Sequence, residues 1–476
     1  MNLGMLGSDI DPEKTAFVSL PQNRRYTYGD IQSISDTVAA GLSRKYQVGD
    51  RIAVIGLNSA DYIATVLGIM KAGMVAVPVN WKLPDAQIRD VLNDAGVKQV
   101  FSDDENGSAV PDDFSWEPLC GTERQGFLSV DMAGKEPALI LYTSGSTGRP
   151  KGVVLSHESH VWTAQTRKKR TSLANDVTLI AAPLYHMQAL TLAFLVLASG
   201  GTAVIFPRFT TADYLKAIET YSCTYITAVP PMIEAVLRDP LVHDTDLSSV
   251  TTVRLGSAPA GDSLFGRIGK IMPQANIVTS YGTTESGPVT FTSHPEGKKT
   301  PPFSAGYPHP DVSVRLNDHG VLEIKSPALM NGYYNRPEIR PFTEDGYYIT
   351  GDVFSLDEDG FYTFKGRADD MFVCGGENIY PGEVEKVLGT HPLVQNTCVV
   401  PVDDDIKGKK PVAYVVKKGN VTEEELKRFV LAHAAPYLHP RRVWFVDQLP
   451  VTDTNKINRK LLMADAAKRL SEENNA

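Results

Sequence analysis

The stretch from Arg51 to Phe101 constrains the fold of this chain more than any other. Arg51-Ile-Ala-Val-Ile-Gly-Leu57 is an apolar, β-branched run suited to a buried strand, and Asn58 or Ser59 after it can cap a helix. The helical pattern over 60–72 stops at Gly73, a residue at ease in the left-handed conformation of a helix end, and Val75-Ala-Val-Pro-Val79 is the next strand. A weaker repeat follows, with a helix over Asp85–Ala95 and a strand over Lys98–Phe101. This alternation implies an α/β sheet with helices on its faces. In such sheets anionic nucleotides sit at the carboxyl ends of the strands.

The same pattern returns further on. Upstream, Ala16–Leu20 and Arg25–Tyr28 read as two short strands before a helix over Asp30–Leu42. A strand from Val177 leads into Pro183-Leu-Tyr-His186-Met187, an apolar helix and a strand ending at Phe206. Three later strands run into small or polar turns: Val229-Pro230-Pro231, Gly256-Ser257-Ala258-Pro259, and Tyr281-Gly282-Thr283-Thr284-Glu285-Ser286. Strand ends delivering such turns can line a pocket. From about Gly306 the texture changes to short alternating strands such as Val321–Lys325, which marks a β-rich subdomain. Beyond Gly366-Arg367 a compact α+β tail follows, with helices over Pro381–Leu388 and Glu423–Ala434. For 476 residues, two or three domains are expected.

Composition excludes several classes of function. A net charge of −9 argues against a general nucleic-acid binder and against a polybasic membrane anchor. The longest mostly apolar run, Ala189–Ala198, is too short to span a bilayer, and the N-terminus has no signal-peptide pattern. Cys120, Cys223, Cys374 and Cys398 are scattered, with no zinc or disulfide spacing, which fits a reducing cytoplasm.

The chemistry is carried by Tyr142-Thr-Ser-Gly-Ser-Thr-Gly-Arg-Pro-Lys-Gly152, which follows the strand-like Pro137–Leu141. Glycines let the backbone approach a ligand and let successive N–H groups converge on an anion. Thr143, Ser144, Ser146 and Thr147 add hydroxyls, and Arg149 and Lys151 add positive charge. That is a polyphosphate cradle, although the spacing is not that of the common P-loop and Pro150 interrupts the approach to Lys151. A shorter fragment of it could be a plain Gly/Ser-rich hairpin. Over its whole length the string resembles the phosphate loop of the adenylate-forming superfamily of acyl-CoA synthetases, luciferases and peptide-synthetase adenylation domains.

The resemblance extends along nearly the whole chain, with motifs in the superfamily's order. It implies a large N-terminal domain of α/β sheets with a β-rich subdomain (1–366), a hinge at 367–370 centred on Asp369, and a small mobile α+β C-terminal domain (371–476). It places Thr143, Ser144, Ser146, Thr147 and Lys151 on the phosphates of ATP. Tyr281 packs on adenine beside Gly256-Ser257-Ala258-Pro259, with Gly282 and Thr283 in the same motif. Thr284 contacts the α-phosphate and Glu285 holds Mg²⁺; Asp352 and Arg367 hold the ribose. Lys456 is the lysine that bridges carboxylate and α-phosphate, preceded by Asn455 where many relatives have glycine. His186 stands beside the acyl site, which Met187, Val229, Pro230, Gly256, Tyr281 and Gly282 help line. Coenzyme A is the expected thiol, threading past Gly375 and Gly376 with its nucleotide near Tyr437, His439 and Arg441. Lys407 stands where several CoA ligases have tryptophan, so the CoA adenine is expected to bind differently. The implied reaction is AMP-forming ligation of a small carboxylic acid, short and branched, hydroxylated or aryl, to CoA through an acyl-adenylate. Loading onto a carrier protein, and a relative that binds nucleotide without catalysis, are the alternatives. The expected assembly is a monomer or homodimer.

Overall fold

In a computed structural model, residues 1–103, 106–119, 126–143, 150–256, 262–301, 303–404, 406–452 and 457–475 are described. The stretch that opens the sequence argument forms the parallel part of a seven-stranded sheet. Its order in space is Gly332–Tyr333, Lys151–Ser156, Pro137–Thr143, Val75–Val79, Arg51–Ile55, Gln99–Ser102 and Trp116–Pro118. Ile52 pairs in parallel with both Ala76 and Gln99. Residues 52–55 are wholly buried, which is why they read as a continuous apolar run instead of an alternating one.

Both candidate helix caps after this strand are used, for different purposes. The Ser59 side chain accepts from Tyr62 N at the start of helix Ala60–Lys71. Asn58 instead donates to the Ala182 carbonyl at 2.9 Å and accepts from Leu184 N at 2.8 Å, which pins the loop that leads to His186. Gly73 ends the helix region with φ of +72°.

A second seven-stranded sheet runs Asn276–Ser280, Thr252–Gly256, Tyr225–Ala228, Val177–Ile180, Thr202–Ile205, Thr15–Ser19 and Arg24–Thr27. The first five are mutually parallel. The N-terminal pair of strands joins this sheet, with Phe17 opposite Ala203, and not the sheet that follows it in the chain. A six-stranded antiparallel sheet, between Phe291 and Arg367, makes the β-rich part.

A fourth sheet uses only residues from 372 onward: Glu377–Ile379, Phe372–Cys374, Gly408–Lys417, Val394–Asp404 and Arg442–Phe445. Its core of Ile379, Val384, Leu388, Val399, Val415 and Leu426 is its own, enclosed with helices Pro381–Gly389 and Glu423–His433. The molecule is thus an α/β protein with a large N-terminal and a small C-terminal domain. Among the described residues no helix is long and apolar enough to cross a membrane, and Cys223, Cys374 and Cys398 are free and buried.

Candidate active site

Four neighbouring parallel strands of the second sheet end on one edge. Asn276–Ser280 delivers Tyr281 and Gly282, Thr252–Gly256 delivers Gly256, Tyr225–Ala228 delivers Val229 and Pro230, and Val177–Ile180 leads to His186 and Met187. The sheet order makes these turns adjacent although up to a hundred residues separate them in the chain. His186 caps helix Met187–Ser199 with extended backbone, and its ring lies edge-on to Tyr185 at 4.5 Å. Val229 is buried and caps helix Pro230–Arg238, where Pro230 is the first helical residue and needs no hydrogen-bond partner for its nitrogen. All seven acyl-pocket candidates belong to this edge.

Tyr281 has an apolar body and a polar tip, and each has a partner. Its ring packs against Phe291 and Phe354 at 5.8 and 5.0 Å, and its hydroxyl donates to Asp352 Oδ2 at 2.5 Å. Burial, then the nearby Asp352 carboxylate, pushes the Tyr281 phenol well above its ordinary range, so it stays a donor. Arg367 Nη1 donates to the other Asp352 oxygen at 3.1 Å, across the antiparallel register that sets Asp352 opposite Arg367. Asp352 is 5% exposed, and burial raises its pKa although Tyr281 and Arg367 pull the other way. Arg367 Nε donates in turn to Asp369 Oδ1 at 3.0 Å, so the expected hinge carboxylate is tied to the expected ribose arginine.

Glu285 lies in the turn closed by a bridge between Thr283 and Gly287, with Thr284 beside it. A Cβ on Gly282 would stand 2.4 Å from the Gly287 carbonyl oxygen, so this turn requires glycine there. Tyr333 donates to Glu285 Oε1 at 3.0 Å, and Lys151 Nζ stands 5.4 Å from the centre of the Tyr333 ring. One carboxylate and one ammonium thus flank a single phenol, at the mouth of the hairpin that pairs Thr143 with Lys151. Gly152 is demanded by packing: a Cβ there would meet Ile140 Cγ2 at 2.8 Å and the Tyr142 ring at 3.1 Å. Tyr142 itself is braced by a 2.7 Å hydrogen bond to Asp94.

Ser144, Ser146, Thr147, Ser257, Ala258, Pro259 and Lys456 lie outside the described residues. The flanks of Lys456 are fixed: Val451 bridges to Ile457, and Arg459 pairs with Glu385 at 2.7 Å and donates to the Val399 carbonyl.

The candidate CoA residues gather on the small domain. Gly375 N donates to the Lys407 carbonyl at 3.0 Å, and Arg441 lies against the His439 ring. Burial, and then the cations Arg441, Lys427 and Lys407, lower the His439 pKa, although the Pro436 carbonyl works against them. Tyr437 packs on the small domain's core. Gly375 and Gly376 both have positive φ, +61° and +92°, at the tip of the Phe372–Ile379 hairpin. A Cβ on Gly376 would meet no described atom within 4 Å.

Sequence reasoning missed Tyr333, which connects Glu285 to Lys151, and offered Asn58 only as a helix cap, whereas it holds the His186 loop. Both act across more than forty residues, and neither carries a local signal beyond its type.

A family model described as AMP-binding enzyme matches residues 9–334, and one described as AMP-binding enzyme C-terminal domain matches residues 383–456. The chain is 32% identical to feruloyl-CoA synthase of an Amycolatopsis species, over 90% of this chain and 92% of that one. It is 31% identical to the 2-succinylbenzoate–CoA ligase of Bacillus cereus strain Q1, over 95% and 94%. The solved O-succinylbenzoate coenzyme A synthetase of Bacillus subtilis, in complex with ATP and magnesium ion, superposes with a TM-score of 0.83 at 28% identity, covering 97% of this chain and 99% of that one.

Proposed function

Because this chain belongs to the AMP-binding enzyme family, we propose that the strand-end site activates a compact aryl or short-chain carboxylic acid and passes it to coenzyme A. The enzyme is an ATP-dependent, AMP-forming acid–thiol ligase that works through an acyl-adenylate. The observation that carries the site assignment is Asp352, held between the Tyr281 hydroxyl and Arg367 beside four converging strand ends.

In the first half-reaction an oxygen of the acid attacks the α-phosphorus of ATP, and pyrophosphate leaves. Tyr281 and Gly256 would flank the adenine, and Asp352 and Arg367 would take the ribose hydroxyls. Thr143, Lys151 and the hydroxyls of Ser144, Ser146 and Thr147 would hold the β- and γ-phosphates. Glu285 supplies the hard oxygen that magnesium prefers, and bound there the ion offsets phosphate charge. Lys456 would stand between the acid and the α-phosphate, and Thr284 would face the same phosphate. In the second half-reaction the CoA sulfur attacks the acyl carbon, the acyl–phosphate bond breaks, and AMP leaves. No covalent bond to the enzyme is needed, so positioning and charge carry the rate.

Residues 1–366 form the adenylating domain in this reading, 367–370 the hinge, and 371–476 the lid that brings Lys456 and then Gly375 and Gly376 to the site. The three described cysteines, free and buried, suit a reducing cytoplasm. The preference for a compact acid rests on the small turns that line the edge, and the aryl choice is supported by relatives named for feruloyl and succinylbenzoyl acids.

The test is a mass-spectrometric screen with MgATP, CoA and pooled acids: branched and hydroxy acids, benzoates, cinnamates and medium-chain fatty acids. Acyl-CoA with matching AMP from the benzoate, cinnamate or short-acid pools is the expected result. AMP without a thioester moves the acceptor to a carrier protein, and turnover confined to fatty acids overturns the compact pocket.

A further inference from the structure

Three arginines stand behind the strand ends, and none forms an ion pair with a carboxylate among the described residues. Arg254 precedes Gly256 by two positions in one strand, so both side-chain positions lie on one face of the sheet. Its Nε donates to Ser280 Oγ at 3.3 Å, and the same oxygen lies 3.0 Å from where a Cβ on Gly256 would stand. Arg254 is therefore one pleat deeper than the pocket edge, about 7 Å along the strand.

Arg167 and Arg170 come from helix His157–Arg170, which packs on helix Met187–Ser199. Arg167 is 8% exposed; its Nη1 donates to the Thr191 carbonyl at 3.1 Å, and its Nε has no hydrogen-bond partner among the described residues. Thr191 lies one turn beyond Met187 and donates to that residue's carbonyl, so Arg167 is held against the first turns of the helix that follows His186. Arg170 Nη1 donates to the Phe291 carbonyl at 3.3 Å, and the Phe291 ring packs on Tyr281. The guanidinium groups thus approach the pocket from its sheet, its helix and its aromatic side.

Such a cluster is unfavourable by itself. Burial, then the charge of Arg254 and more weakly that of Arg170, bring the Arg167 pKa down to about 9, although Tyr225, hydrogen-bonded to it, works against them. Buried arginines are ordinarily paired, because removing an unbalanced charge from water is costly. A planar guanidinium also presents donors that match a carboxylate on two atoms at once. Resting on the ligase reading above, we infer that the acid this enzyme activates carries a second carboxylate, received by Arg254, Arg170 and Arg167 at the deep end of the acyl pocket. The reacting carboxyl group remains at the Gly256 and His186 edge. A benzene ring or a chain of four or five carbons bridges the gap between the two positions.

The experiment compares matched acids for acyl-CoA and AMP formation: terephthalate against p-toluate, adipate against hexanoate, and glutarate against pentanoate. In at least one pair the diacid is expected to exceed the monoacid by about 100-fold in kcat/KM. Arg254→Gln should lower that ratio by at least about 10-fold, and Arg254→Lys should retain part of it, with thermal melting confirming that both variants fold. Monoacids equal to or better than diacids in every pair overturn the inference and leave the ligase standing. An Arg254→Gln variant that loses both members of a pair equally also overturns it, since the arginine then acts only on the fold. If no acid yields AMP or thioester, the ligase reading falls and takes this inference with it.

Discussion

Asp352 shows how one side chain can be costly for the fold and useful to the site. It is buried, and burial raises its pKa despite the Tyr281 hydroxyl and Arg367. An acid with a raised folded pKa binds its proton more tightly folded than unfolded. Its contribution to stability is therefore greatest at low pH and is lost as pH rises through the folded pKa. Asp352→Asn removes that charge while keeping the shape and an acceptor for Tyr281. The variant should melt no lower than the parent at neutral pH, yet its KM for ATP in pyrophosphate exchange should rise at least about 10-fold, because a charged acceptor is worth roughly 1.5–3 kcal/mol. An unchanged KM would remove Asp352 from the ribose role. The motif around Asp352 was legible in the sequence, because Tyr348-Ile-Thr-Gly-Asp352 is a local string. Tyr333 was not, since only the fold brings its hydroxyl to Glu285.

At the scale of elements, helix His157–Arg170 links stability to pH. Its first turn carries two buried histidines, His157 and His160, 0% and 2% exposed. His157 Nδ1 accepts from Leu3 N at 3.0 Å, so the neutral ring ties the N-terminal segment to the helix. Burial lowers both pKa values to about 4 from an ordinary 6.5. A histidine with a depressed folded pKa is protonated first in the unfolded chain. The stability it contributes is present above pH 6.5 and is lost as pH falls toward 4. Between pH 7 and pH 5 the loss is roughly 2 kcal/mol for each ring. The urea midpoint should fall accordingly over that range, and His160→Leu should make the fall shallower by about half. An identical pH slope in the variant would show that other groups set it. The strands and helices here were readable from apolar periodicity to within a few residues. Their partners were not: the strands Thr15–Ser19 and Arg24–Thr27 precede the first sheet in the chain and join the second.

For the whole molecule, the position of the small domain is the variable that matters. In this pose a side chain at Gly376 would meet no described atom within 4 Å, while Arg459 anchors the segment after Lys456 to Glu385. Two variants separate the two proposed poses. Lys456→Ala should abolish most adenylation and spare transfer from supplied acyl-adenylate to CoA. Gly376→Trp should do the reverse. The φ of +92° at Gly376 makes any side chain there strained by about 1–2 kcal/mol, so Gly376→Ala is the control that carries the strain without the bulk. Equal loss of both half-reactions in Lys456→Ala, or transfer as fast in Gly376→Trp as in Gly376→Ala, would sink the alternation.

What the sequence determined by itself was local: the α/β alternation from Arg51, the Tyr142–Gly152 hairpin, the Tyr281–Ser286 turn, the change of texture near Gly306 and the α+β tail beyond Gly366-Arg367. Each is written in consecutive residues, because periodicity, glycine placement and turn chemistry act over a few positions. The tertiary structure decided what those pieces face. It set four strand ends side by side, put Tyr333 between Glu285 and Lys151, and gathered Arg167, Arg170 and Arg254 from a helix and a strand more than eighty residues apart. A period of two tells which face of a strand a residue occupies. Which other strand or helix covers that face is fixed only when the whole core packs.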